Sequence, residues 1–70
     1  MPDKMLGEVL RELREARSLT QSQLAEKAQV ALSLVLALEA GSQGNPSKQV
    51  LYRMARALDV PVKRLLEPGS

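Results

Sequence analysis

The sequence contains no cysteine, no histidine, no tryptophan and no phenylalanine. Without cysteine no disulfide can form. Without cysteine and histidine there is no zinc site of the thiolate or imidazole kind, and neither a metal nor a cofactor is expected. Tyr52 is the single aromatic residue, so the core must be aliphatic. Long hydrophobic runs are missing too. The longest, Ala31–Ala40, is interrupted by Ser33 and Glu39 and falls short of the ~20 residues a membrane span requires. Neither sign of charge dominates, since ten Lys and Arg against eight Asp and Glu leave a net +2. That is too little to argue for nucleic acid by itself. There is no glycine-rich phosphate loop, and the carboxylates are spread along amphipathic segments where solvation explains them. No enzyme chemistry is expected. The lack of cysteine is compatible with a cytoplasmic location.

What is present is aliphatic periodicity. Seventy residues allow one domain, expected over residues 1–67 with a tail at 68–70, and a chain this short buries only about 60% of its unfolded surface. The pattern predicts an all-α fold of four to five helices. The first runs from about Lys4 to Arg17, with Leu6, Val9, Leu10, Leu13 and Ala16 at helical spacing. Asp3 suits its N-cap, and Arg14 and Arg17 suit its negative end. Thr20 and Gln23 form a capping box for the second helix, Gln21 to Ala28, with Leu19 and Leu24 placed as a hydrophobic staple. Capping is sufficient to explain Thr20 and Gln23. A third helix begins near Ala31 and ends at Gly41, a good residue for a left-handed C-terminus. Gly41 to Asn45 reads as a loop, left through Asn45-Pro46-Ser47. A fourth helix carries Val50, Leu51, Met54, Ala55 and Leu58 and ends near Asp59. Val62, Leu65 and Leu66 supply a last short turn.

Two short helices joined by three residues have helix-turn-helix spacing, here at residues 20–41. The run Leu19-Thr20-Gln21-Ser22-Gln23-Leu24-Ala25, the ending Leu38-Glu39-Ala40-Gly41, the loop Asn45-Pro46-Ser47 and the stretch Ala55 to Val60 follow in order. In this combination the chain resembles the phage-repressor and Cro family of helix-turn-helix proteins, the XRE class. The resemblance covers about Leu6 to Glu67 and implies a small transcriptional regulator, dimeric on double-stranded DNA. It puts Gln21 at a phosphate, where free helix N–H groups also favour an anion. It places Leu32, Ser33, Leu36 and Ala37 at base edges in the major groove. It further implies an internal ion pair between Arg14 and Glu39, with a solvated pair as the plainer alternative.

The base-reading positions depart from the family's chemistry. Of Leu32, Ser33, Leu36 and Ala37, only Ser33 can exchange a hydrogen bond with a base edge. No Lys or Arg occurs between Ala28 and Ser47, so phosphate contacts fall to Gln21, Lys27, Lys48 and backbone amides. Ala31 stands where a capping Ser or Thr is usual, forfeiting about 1 kcal/mol. With Val35 at the centre of the buried side, Leu38, Ala31 and Leu34 lie near it and Leu32 at its border. Ser33, Leu36, Ala37 and Ala40 then point outward as a small apolar face. Such a face supports a second reading, a protein-interaction or self-association module on the same scaffold, its surface selected or redesigned for a homodimer or another protein partner.

Overall fold

The computed structural model describes residues 5–42 and 46–66. Five helices follow one another: α1 (Leu6–Ala16), α2 (Gln21–Ala28), α3 (Leu32–Ala40), α4 (Lys48–Leu58) and α5 (Lys63–Leu66). No strand occurs among the described residues. Asp3, Lys4, Asn45 and the tail at 68–70 lie outside them. Helix α1 starts at Leu6 after Met5, which gives no side-chain cap, and stops at Ala16.

The aliphatic core is closed by Leu10, Leu24, Val35, Leu38, Met54, Leu58 and Leu65, all with essentially no exposed surface. They come from all five helices, so no helix is dispensable to the core. Helix α2 packs on α3 and α4, while α1 packs on α3 and α5 and α4 packs on α5. Tyr52, the only aromatic, lies on the surface. Ala16, in the last turn of α1, is exposed, as is Leu66 in the last helix. Ala57 joins the core, which widens the buried face of α4 beyond its periodic leucines.

Helices α1 to α4 end in one way. A residue with positive φ follows each: Ser18 (56°), Gln29 (59°), Gly41 (77°) and Asp59 (58°). The next residue then donates its N–H back five residues, as in Leu19 to Arg14 O at 3.1 Å, Val30 to Ala25 O at 3.0 Å, Ser42 to Ala37 O at 3.0 Å and Val60 to Ala55 O at 3.0 Å. These are Schellman turns, which satisfy carbonyls the helix leaves open. Only one uses glycine. At the other three the left-handed conformation costs a side-chain-bearing residue about 1–2 kcal/mol, and an apolar residue immediately after it offsets that cost. Leu19, Val30 and Val60 each pack against the core.

Helix starts are less uniform. Thr20 Oγ1 accepts from Gln23 N at 3.0 Å while Gln23 Oε1 accepts from Thr20 N at 2.8 Å, completing the capping box. Ser47 Oγ accepts from Val50 N at 3.2 Å at the head of α4. Ala31 makes no such bond at the head of α3. It is exposed rather than buried, because as N-cap it precedes the first turn that packs on the core.

Helix α3 largely keeps the expected orientation, with Val35 and Leu38 buried and Ser33, Leu36 and Ala40 exposed. Ala37 is half-buried and Leu34 likewise, whereas Leu32 is exposed. Ala37 therefore departs from the outward face expected for it. Gly7 is buried against the α3 backbone, and a Cβ there would fall on the carbonyl oxygen of Leu38 and crowd Glu39 Cα.

Two substitutions test these contacts by urea unfolding. Gly7→Ala should destabilise by about 1–3 kcal/mol, since neither backbone can yield cheaply. Ala31→Ser should stabilise by about 1 kcal/mol by restoring the absent cap. A neutral Gly7→Ala would mean that the two helices can separate without cost.

Candidate nucleic-acid interface

The site is built around a buried cation. Arg14, on the last turn of α1, is the one charged residue classed as buried among the described residues. A guanidinium removed from water needs its donors satisfied. Arg14 Nε donates to Glu39 Oε2 at 2.8 Å and Nη2 to Glu39 Oε1 at 3.0 Å, a bidentate pair. Nη1 donates to the carbonyl oxygen of Leu19 at 2.9 Å. The carboxylate's hydrogen bond pushes the Arg14 pKa up; burial opposes this and the nearby charges of Glu39 and Glu15 add to it. The side chains of Arg14 and Glu39 are 11% and 5% exposed, so this is an internal link rather than a solvated surface pair.

Gln21 completes the arrangement. Its Nε2 donates to Glu39 Oε1 at 3.1 Å. One carboxylate thus receives α1 through Arg14 and the first residue of α2 through Gln21, while belonging itself to α3. Arg14 also holds the turn before α2 through Leu19. The angle between α2 and α3 is set by these bonds and by Leu24, Val35 and Leu38 beneath them. The Gln21–Glu39 bond has no local sequence signal, because eighteen positions separate the partners.

Beyond this clamp the expected site residues fall into two groups. Leu32, Ser33, Leu36 and Ala40 form the exposed face of α3. Ala37 stands at its edge, half-buried. Leu32 and Leu36 are 40% and 43% exposed, a large aliphatic surface for so short a helix. The N–H groups of Leu32 and Ser33 at the head of α3 have no intrahelical acceptor and receive no side-chain cap from Ala31. Lys48 is exposed in the first turn of α4. Lys27 lies elsewhere, lining a groove at the end of α2 with Arg53 and Arg56, and Arg53 Nη1 donates to Gln29 O at 3.3 Å. Sequence reasoning did not connect these three cations, which come together only when α4 packs on α2. No group of carboxylate, imidazole or thiol ligands that could hold a metal occurs among the described residues.

A short α2 clamped at a fixed angle under an exposed α3 defines a helix-turn-helix domain of the phage-repressor type. The chain belongs to the helix-turn-helix family, whose model matches residues 10–65. The transcriptional regulator SinR of Bacillus subtilis is 40% identical over 63 residues, covering 90% of this chain and 57% of SinR. The chain therefore spans little more than half the length of that relative. A structure of SinR in complex with DNA is similar at TM-score 0.87 and 40% identity, covering 90% of this chain and 100% of that one. The DNA-binding domain of the P22 c2 repressor shares the fold at TM-score 0.86 and 23% identity, covering 94% of this chain and 86% of that domain.

Removing the carboxylate strands a buried guanidinium. Glu39→Ala should lower the unfolding free energy by about 3 kcal/mol in urea titration, whereas replacing both partners by aliphatic residues should recover much of it. A loss of only a few tenths of a kcal/mol for Glu39→Ala would show that water replaces the carboxylate freely.

Proposed function

We propose that this chain is the DNA-binding domain of a transcriptional regulator, setting α3 in the major groove and the start of α2 against the phosphate backbone. The observation that carries this reading is the likeness, over nine-tenths of the chain, to SinR in complex with DNA. The geometry supports it. Gln21 sits at the head of a capped helix whose dipole favours an anion. Its second amide hydrogen is free to meet a phosphate while the first is held by Glu39. The uncapped N–H groups of α3 and the ammonium of Lys48 extend the same contact, and Lys27 adds charge to it at longer range.

A symmetric dimer on a two-fold site is the assembly this reading implies, since one short α3 reads too few base pairs for specificity. It also implies a regulator rather than an enzyme, working in the cytoplasm where DNA is accessible. The apolar face of α3, which on sequence alone also suits a protein partner, is the face this class of protein turns to DNA. Kinship with DNA-binding regulators puts the duplex first.

Fluorescence anisotropy with a mixed-sequence duplex tests the proposal. Binding should weaken linearly in log Kd against log salt. Lys48→Ala should reduce the slope by about one and weaken all duplexes alike. Absence of binding to any duplex at low salt would overturn the proposal.

A further inference from the structure

The exposed face of α3 carries almost none of the groups that read base pairs by hydrogen bonding. Leu32, Leu36 and Ala40 recur at every fourth position and form one stripe about 12 Å long. Ser33 beside them is the only polar side chain on that face. Guanine is read in the major groove through its O6 and N7 by Arg or Lys, adenine through N6 and N7 by Asn or Gln, and cytosine through N4 by an acid. None of these residue types stands on the exposed face of α3. The one base-edge feature in that groove that an aliphatic side chain can recognise is the 5-methyl group of thymine.

Resting on the DNA-binding reading, we infer that α3 reads its site through thymine methyl groups, with Leu36 as the principal contact and Leu32 and Ala40 flanking it. Leu36 is central because it lies in the middle of the exposed arc and is the most exposed of the four leucines on the helix. Two effects favour thymine. Burying its methyl removes apolar surface from water on both partners. A leucine seated on the methyl leaves the neighbouring polar edge atoms hydrated, whereas against a G·C edge, which has no methyl, it strips water from O6, N7 or N4 and offers no hydrogen bond in return. Recognition should follow the methyl rather than the base. A 5-methylcytosine carries its methyl at the same place in the groove and should partly substitute for thymine.

The orientation of α3 argues for DNA over a protein on this face. Its ends are bordered by groups suited to phosphate: the amide of Gln21, which the clamp holds beside Glu39 near the end of α3, and the uncapped N–H groups at its start. An aliphatic stripe bordered by anion-binding groups matches the edge of a methyl-lined groove between two phosphate strands.

The test compares four duplexes of alternating sequence: dA-dT, dA-dU, dG-dC and dG-dC with every cytosine 5-methylated. Anisotropy is measured at one low salt concentration. A buried methyl is worth about 0.8 kcal/mol, about fourfold in Kd, so two contacted methyls predict dA-dT bound about fifteenfold more tightly than dA-dU. Methylated dG-dC should likewise bind more tightly than unmethylated dG-dC. Leu36→Ala should shrink the thymine-to-uracil ratio toward one while the helical circular dichroism and the urea unfolding midpoint stay as in the parent, which a loss of folding would not do. Equal affinity for dA-dT and dA-dU, with binding intact, would overturn methyl reading and leave the DNA-binding proposal standing. No binding to any of the four would overturn both. Self-association without DNA that Leu36→Arg abolishes, in sedimentation of the intact chain, would assign the stripe to a second copy instead and overturn methyl reading.

Discussion

The Arg14 guanidinium is the constraint on which the rest of the structure depends. A cation on the inner side of α1 can be tolerated only if each of its nitrogens has an acceptor, and the domain supplies all of them from other elements. Glu39 and the carbonyl of Leu19 bring the end of α3 and the entry to α2 to one point. Gln21, bonded to the same carboxylate, takes its orientation from it. A purely aliphatic contact would hold these helices together with similar strength but would allow them to slide. Directional bonds with no slack give the pair of helices one relative angle. On the proposed DNA-binding function, that angle decides whether α3 can enter a groove while α2 rests on the backbone.

The packing around this clamp relies on short distances rather than on bulk. With a single exposed aromatic in the chain, the core lacks large rings and is filled by many small and branched side chains. Helices must then approach closely, and Gly7 under Leu38 is where α1 and α3 do so. The same economy governs the chain reversals. Four helices end in left-handed residues, three of them carrying side chains, and the turns hold because an apolar residue directly follows three of the four.

Much of this was legible in the sequence because local rules carried it. The capping box at Thr20 and Gln23 gave the start of α2 to the residue, and Gly41 gave the end of α3. The aliphatic repeats located every helix. The ends of α1, α2 and α4 were placed within a residue or so, but the left-handed φ at Ser18, Gln29 and Asp59 was not, because positive φ at a polar residue is a property of the turn as a whole and is signalled only weakly by the apolar residue after it. The half-burial of Ala37 was not legible, since a helix apolar on nearly all sides gives periodicity little to lock onto. At the site, Arg14 and Glu39 came from family resemblance. Neither spacing nor composition links residues twenty-five positions apart. The bond from Gln21 to Glu39 and the grouping of Lys27 with Arg53 and Arg56 depend on tertiary packing and leave no local trace.

The division of labour within α3 follows from these facts. Val35, Leu38 and Glu39 face inward and hold the scaffold, and they leave the arc from Leu32 through Leu36 to Ala40 outside the core. Residues so exposed contribute little to folding stability, so that arc can change without the fold answering for it. A domain with its geometry fixed by buried bonds can therefore replace hydrogen-bonding side chains on its outer face by leucine and alanine. What it gives up is polar discrimination, and what it gains is dependence on apolar surface alone. Leu36 is where that exchange is most complete, because the clamp that orients it contains no atom of its own side chain.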